Sequence, residues 1–148
     1  MKWLTGMLVL SLVVLGAGSF ASHAADEKSE KPGAKKGDNR VFELRTYYAA
    51  PGKLKALESR FRDHTIKLFE KHGITIVGFW TDMNAKEGEE KLIYILAYPS
   101  KDAAAKSWKD FRDDSEWKKV FAESEKDGKL VSKVDSVYMN PTDYSPVK

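Results

Sequence analysis

Few side chains in this sequence could carry acid–base or metal chemistry near neutral pH. The chain has three histidines and no cysteine. Histidine titrates closest to physiological pH, so His64 is the candidate catalytic acid or base. The alternative is a structural histidine that is hydrogen-bonded to a neighbouring hydroxyl or carbonyl. On a helical wheel it lies about 65° from the centre of the apolar stripe, on the side that is expected to meet a sheet. The apolar stripe consists of Leu54, Leu57, Phe61, Leu68 and Phe69.

The other groups near His64 do not complete a catalytic or metal site. Asp63 points about 100° away from His64 on a helix, so it is not placed to orient the imidazole. His72 is eight residues further on, about 12 Å along a helix axis, which is too far for one shared metal. His72 is instead expected to cap the end of the helix. The sequence therefore predicts no metal site and no established catalytic set.

Common catalytic motifs are also absent. The chain has no cysteine nucleophile, no G-x-S-x-G, no phosphate-binding glycine loop and no H-E-x-x-H. These absences argue against the hydrolase, nucleotide-binding and zinc-enzyme classes that use those motifs. Nothing in the sequence requires a cofactor.

Several charged and aromatic residues are candidates for binding a ligand. An arginine can bind an anion and aromatic rings can line a pocket. The alternatives are that Glu43 and Arg45 form an ion pair between strands or subunits, and that the aromatic residues are core. The ligand-binding candidates are Arg45, Tyr47, His64, Trp80, Tyr94 and Trp108.

The elements that position these residues follow from hydrophobic periodicity and from turn residues. Alternation of apolar and polar residues predicts strands, and Pro51-Gly52, Gly73, Gly88, Ser100 and Gly128 mark turns or helix ends. The second helix is expected to break near residues 113–117, where its apolar residues change phase. The predicted strands cover residues 41–48, 74–82, 91–99 and 130–139, and the helices lie between them at 51–72 and 101–127.

This order is the ferredoxin-like βαββαβ arrangement, an α+β fold with a four-stranded antiparallel sheet and both helices on one face. The second and third strands carry large apolar residues on both sides, although a solvated sheet face should be polar. Such a patch is typical of an association surface, so a homodimer closed through the bare sheet face is expected. Glu43 and Arg45 are expected to face that bare side.

The first 40 residues precede this domain. Residues 1–24 combine Lys2, an apolar run and the small residues of Ser22-His23-Ala24, which is typical of a secretory signal peptide cleaved before Ala25. A retained anchor is the alternative. Residues 25–40 are polar and predict a disordered linker. The domain, residues 41–148, is then expected in the periplasm or outside the cell, with no stable membrane span after cleavage.

The charge of the domain gives no argument for a nucleic-acid partner, and none is expected. Residues 41–148 contain 19 Lys and Arg against 18 Asp and Glu, a net charge of +1. The two signs are interspersed rather than clustered.

Four segments resemble successive blocks of the NIPSNAP family. They are "FELRTYYAAPGKL", "RDHTIKLFEKHGITIVGFW", "DSEWKKVF" and "NPTDYSP", which together cover almost all of residues 41–146. The resemblance implies a dimeric α+β barrel, related in fold to antibiotic-biosynthesis monooxygenases, muconolactone isomerases and haem-handling barrels. It implies no particular reaction.

Two functions are therefore expected. The first is an exported, dimeric module that binds a small ligand or serves a structural role. The alternative is a cofactor-free enzyme of the monooxygenase or isomerase type, or a haem-handling barrel. In that alternative His64 acts as acid or base, and Trp80 or Tyr47 positions an aromatic or planar substrate.

Overall fold

The computed structural model describes residues 40–148. The predicted signal peptide and nearly all of the predicted linker lie outside these residues. The elements are β1 (Val41–Ala49), α1 (Leu54–Arg60), a π-helical turn (Phe61–Thr65), α2 (Ile66–Lys71), β2 (Thr75–Thr81), β3 (Lys91–Tyr98), α3 (Lys101–Asp113), α4 (Ser115–Ser124) and β4 (Val131–Met139). Among them, no helix has the length and apolar character needed to cross a membrane.

The four strands form one antiparallel sheet in the order β2-β3-β1-β4. This order and the βαββαβ sequence of elements confirm the predicted ferredoxin-like α+β fold. The helices pack on one face of the sheet, where their apolar side chains form a single core with those of the strands. We call the opposite side of the sheet the bare face.

A tight turn connects β1 to the first helix. The amide of Lys53 donates a hydrogen bond to the carbonyl of Ala50, 2.9 Å away. Proline suits the second position of such a turn, and the third position requires a positive φ, which Gly52 supplies at 70°. Pro51 therefore lies in the turn before the helix rather than in its first turn.

Residues 54–71 form a continuous helix that contains one π turn. The amide of Ile66 donates to the carbonyl of Phe61, five residues earlier, and the Thr65 hydroxyl donates to the carbonyl of Arg60. A π turn accommodates an extra residue, so it rotates the following side chains relative to a regular α-helix. Thr65 is consequently buried, whereas His64 is exposed.

A β-bulge in β2 decides which residues of that strand face the helices. Ile76 pairs with Leu96, but Gly78 pairs with Ile95, so Val77 is an extra residue. Alternation continues from Gly78, which places Trp80 on the bare face rather than on the side of Ile76.

The second helical region breaks where the sequence predicts it. Ser100 caps α3 by accepting a hydrogen bond from the amide of Ala103. Asp114 ends α3 and caps α4, because its side chain accepts from the amides of Glu116 and Trp117. The Asp114 carboxylate also lies 2.8 Å from Nζ of Lys71 and 2.7 Å from Nε2 of His72, so it ties α4 to the end of α2.

The bare face carries an exposed apolar surface. Val77, Trp80 and Val137 are 41%, 50% and 53% exposed. Ile93 and Ile95 between them are partly exposed. The C-terminal segment from Asn140 to Val147 lies beside one end of this face, where it forms a shallow apolar cleft.

Candidate functional site

A buried carboxylate lies between the sheet and α3. Glu43 on β1 is 1% exposed. Its Oε1 accepts hydrogen bonds from Arg45 and Ser136, each at 2.6 Å. Its Oε2 accepts from Trp108 at 2.7 Å and from Tyr98 at 2.9 Å. A buried charge is stable when it is paired and hydrogen-bonded in this way.

The electrostatics of this network favour the charged carboxylate. Burial raises the pKa of Glu43, but hydrogen bonds from Ser136 and Trp108 and the adjacent Arg45 together lower it below the ordinary value. Burial and the neighbouring carboxylate raise the pKa of the Tyr98 hydroxyl. Tyr98 therefore remains a hydrogen-bond donor to Glu43.

Arg45 lies between two aromatic rings on the same side of the sheet. Its guanidinium carbon is 4.3 Å from the ring centre of Trp108 and 5.4 Å from that of Tyr47. The expectation that Glu43 and Arg45 face the bare side is therefore wrong. The reason is that Glu43, Arg45 and Tyr47 form the core-facing side of β1, although two of them are charged.

A cleft opens beside this network, between α4 and strands β1 and β4. We call it the seam cleft, and its volume is about 330 Å³. Its apolar walls include Tyr47, Trp117, Phe121, Val131 and Val134. The cleft exists because β4 is an edge strand that the helices cover incompletely, so Val134 is 41% exposed.

Arg60 is the charged group at the inner end of the seam cleft. It is 5% exposed, and its guanidinium carbon lies 5.5 Å from the ring centre of Trp117 and 5.4 Å from that of Phe121. Nη1 donates to Ser124 Oγ and Glu125 Oε1, both at 3.2 Å. Nε is buried and has no partner among the described residues.

His64 lies in a different depression, which we call the helix groove. The groove runs between residues 56–64 of the first helix and α4, with a volume of about 670 Å³. Arg60 lines its inner end, so this residue borders both depressions. Side chains of both charge signs surround the groove, among them Asp63, Glu116, Lys119 and Glu123.

The structure separates the six ligand-binding candidates. Tyr47 lines the seam cleft, and Arg45 stacks on it from within the core. Tyr94 is fully buried, and burial raises the pKa of its hydroxyl well above the ordinary value. Trp108 is also buried. Both rings are therefore part of the core around Phe61 and Phe69.

His64 and Trp80 do not meet. His64 lies on the outer side of the first helix, whereas Trp80 lies on the bare face of the sheet. The enzyme alternative in which His64 and Trp80 act on one substrate would need both side chains at one cleft, and within one chain they are not brought together. The π turn and the β-bulge are the physical reasons, since each shifts the residues that follow it.

The surroundings of His64 do not fit a haem. An imidazole that binds haem iron needs a planar, apolar space beside it, but the carboxylates of Asp63 and Glu116 line the same groove. Within residues 40–148, no group of three or more His, Cys, Asp or Glu side chains could hold a metal ion.

Sequence reasoning missed Arg60 and Glu125. The signal for Arg60 is its position three residues after Leu57 and next to Phe61, on the apolar side of the helix. A charged residue there is rarely buried without a partner. Glu125 gives no such signal, because its role depends on the tertiary contact between α4 and α1.

The fold and the seam cleft together define an α+β protein of the ferredoxin-like class with a ligand-sized cleft beside its edge strand. The sequence profile of the NIPSNAP family matches residues 42–146, so the chain belongs to the NIPSNAP family. No curated protein sequence matches the chain.

Solved structures of bacterial NIPSNAP proteins have the same fold. A NIPSNAP family protein with unknown function from Agrobacterium tumefaciens strain C58 has a TM-score of 0.65 and 22% identity, over 74% of this chain and 95% of that one. A second protein of the family from that strain has a TM-score of 0.64 and 19% identity, covering 74% and 99%. An uncharacterised NIPSNAP-like domain protein from Burkholderia xenovorans has a TM-score of 0.63 and 14% identity, covering 73% and 90%. At these identities the likeness concerns the fold.

Proposed function

We propose that this NIPSNAP protein is a small-ligand-binding module and that the seam cleft is its ligand site. The observation that carries the proposal is Arg60, a buried arginine that lines an aromatic cleft and uses only Nη1 for hydrogen bonds to the described residues. Ligand sites combine apolar walls with a few placed polar groups, and cavities of about 300 Å³ and above hold small molecules.

Binding is favoured over catalysis because of where the titrating groups lie. An acid–base enzyme needs a group with a suitable pKa within reach of the substrate. His64 lines the helix groove, on the other side of α4 from the seam cleft. The seam cleft itself contains arginine, lysines and one carboxylate, and that carboxylate is already paired with Arg60.

We also propose that the module is a homodimer formed through the bare face. Exposed Val77, Trp80 and Val137 support this, since contiguous apolar residues on a sheet face favour association. Lys133 and Asp135 at the edge of that face pair with each other at 2.9 Å, so they leave no unmatched charge for a second copy. Two identical faces are self-complementary in a two-fold dimer.

Export completes the proposal. The apolar run of residues 4–15 and the tripeptide Ser22-His23-Ala24 support a signal peptide cleaved before Ala25. Mass spectrometry of the protein recovered from its native cell envelope tests cleavage. An intact Met1 would contradict it.

A fragment screen followed by NMR tests the ligand site. The screen should contain neutral, cationic and anionic one-ring and two-ring aromatic compounds. We expect binders to shift the indole N–H of Trp117 and the amides of residues 131–134, which line the seam cleft. The indole N–H of Trp108 is the internal control, because it is buried against Glu43 and should move little. Shifts confined to the bare face, or no binders at all, would contradict the proposed site.

A further inference from the structure

The guanidinium of Arg60 is only partly satisfied. Both of its side-chain partners, Ser124 and Glu125, are bound by the same nitrogen, Nη1. Nη2 donates no hydrogen bond among the described residues, and Nε is buried and also without a partner there. Arginine and carboxylate groups reach their strongest geometry through two parallel hydrogen bonds. The contact with Glu125 is a single bond of 3.2 Å.

From this geometry we infer that the seam cleft binds a carboxylate joined to a planar, aromatic body, and that Arg60 holds the carboxylate in place of Glu125. The inference rests on the proposed function and names its class of ligand. In the free protein, the Glu125 carboxylate occupies part of the position that the carboxylate of the ligand takes.

The charges of the cleft support an anion. Arg60, Lys129 and Lys133 line it together with one carboxylate, that of Glu125. Lys133 is paired with Asp135, whereas Lys129 has no carboxylate partner among the described residues. The helix groove differs, because three carboxylates line it beside Arg60 and Lys119. An anion is therefore attracted to the seam cleft and not to the groove.

The walls of the cleft support a planar body. Trp117 and Phe121 lie side by side next to the guanidinium, with ring centres 5.7 Å apart, and Tyr47 lines the same cleft from β1. Offset or edge-to-face contacts with these rings stabilise an aromatic ligand beyond the area it buries. The volume of about 330 Å³ suits a body of one or two rings.

Glu125 can leave Arg60 without unfolding α4. It is the residue that follows the last residue of the helix, and its backbone has already left the helical conformation, at φ −106° and ψ 10°. Its side chain is 17% exposed. Rotation of this side chain toward solvent frees Nη1, so that the two oxygens of a ligand carboxylate can accept from Nη1 and Nη2 together.

The test compares benzoate with benzamide, which has a similar shape and no charge. Affinities are measured by NMR titration of the full mature chain, with the indole N–H of Trp117 as the reporter. We expect benzoate to bind at least about tenfold more tightly than benzamide, the scale of one charge-assisted hydrogen-bond pair. Equal affinities would overturn the inference and leave the proposed ligand site intact.

Three variants test the role of Arg60. Arg60→Lys keeps the charge and loses the two-nitrogen edge, so benzoate affinity should fall about tenfold. Arg62→Lys is the matched control, since Arg62 is exposed two residues away, and it should bind benzoate like the wild type. Glu125→Gln removes the competing charge, so it should bind benzoate more tightly than the wild type does.

The Glu125→Gln variant shows whether Glu125 competes with the ligand for Arg60. Weaker or unchanged benzoate binding would show that Glu125 does not compete with the ligand, and the inference would be overturned. The Glu125→Gln titration tests the inference even if the Arg60→Lys variant fails to fold. A wild-type protein that binds neither benzoate nor any compound of the neutral and cationic screen at the seam cleft would remove the proposed function as well.

Discussion

The indole ring of Trp80 lies over the α-carbon of Gly78 on the bare face of the sheet. A methyl group placed on Gly78 would be 2.8 Å from Cη2 and 3.0 Å from Cζ2 of that ring. Both atoms belong to the far end of a side chain that is 50% exposed, so the ring can move away. The missing side chain at Gly78 therefore makes room for the ring of Trp80 to lie over the strand.

Gly78→Ala should push the indole of Trp80 away from the strand with little loss of stability. At a concentration low enough to keep the protein monomeric, the free energy of unfolding should change by about 1 kcal/mol or less, since the displaced group is half in solvent in the single chain. The emission of Trp80 should shift to longer wavelength because the ring gains exposure. Fluorescence difference spectra against the matching Trp80→Phe variants isolate this signal. Thr75→Ala in the same strand is the control, and identical Trp80 emission in Gly78→Ala and wild type would contradict the prediction.

The order of elements could be predicted from the sequence because it depends on local signals. Strand alternation, the stop at Gly73 and the cap at Ser100 each reflect interactions within a few residues. The break at Asp114 was also predictable, since the apolar residues of α3 and α4 are out of phase. These signals do not depend on which elements pack against each other in the folded protein.

The side of a strand or helix on which an individual side chain lies could not be predicted in the same way. Glu43 and Arg45 occupy the core-facing side of β1 because Trp108, Tyr98 and Ser136 supply hydrogen bonds from distant parts of the chain. A sequence shows two charged residues there and favours the outer side. The bulge at Val77 and the π turn before Ile66 likewise depend on tertiary packing. The candidate site was found only in part for this reason, since Tyr47 was predicted and Arg60 was not.

Glu43→Gln should destabilise the domain at pH 7 by about 3 kcal/mol, because it leaves Arg45 without its buried charge partner. The side-chain amide of glutamine also has an NH₂ group in place of one carboxylate oxygen. This group cannot accept the two hydrogen bonds that the replaced oxygen accepted. Glu87→Gln, at an exposed loop position, is the matched control and should be neutral. Urea unfolding of the three proteins measures the difference.

The effect of Glu43→Gln should depend on pH. The pKa of Glu43 in the folded protein lies below its ordinary value of 4.5. The stabilisation is therefore fully present above that value and is lost as the pH falls through the lower, folded pKa. The difference between wild type and variant should narrow below about pH 4.5. A difference that stays constant down to pH 3 would show that the carboxylate charge is not what stabilises the network.

Asp114→Asn should loosen the attachment of α4 to the first helix. Asparagine still caps α4, so the substitution removes mainly the pairing with Lys71 and His72. Hydrogen bonds from Lys71 and His72 hold the pKa of Asp114 below its ordinary value. The wild type should accordingly lose this stabilisation as the pH falls below that value, and the variant should not.

Thermal melting at pH 7 measures the effect of Asp114→Asn, and we expect a melting temperature several degrees below that of the wild type. Asp113→Asn is the control, because Asp113 pairs only with the exposed Lys109 and should matter little. Equal melting temperatures for wild type and Asp114→Asn would show that the pairing of Asp114 with Lys71 and His72 does not stabilise the domain.

His64→Gln should leave the protein unchanged. His64 is exposed in a groove that carries both charge signs, so the free energy of unfolding should change by about 0.5 kcal/mol or less. Benzoate binding at the seam cleft should also be retained. Haem titrations of both proteins, followed by the Soret band, should be superimposable. A saturable Soret shift in the wild type alone would instead establish His64 as a haem ligand.

Ile95→Lys should disrupt the proposed dimer. Ile95 lies at the middle of the bare face, where it pairs with Leu44 on β1 and with Gly78 on β2. A second copy packed on this face would bury the new ammonium group without a partner, at a cost of several kcal/mol. Light scattering at micromolar protein concentration should therefore show a dimer for the wild type and a monomer for the variant. The circular dichroism spectrum of the variant should match that of the wild type. Met83→Lys adds the same charge at a residue that is 96% exposed and should remain dimeric. A monomeric wild type, or a dimeric Ile95→Lys variant, would show that the bare face is not the interface.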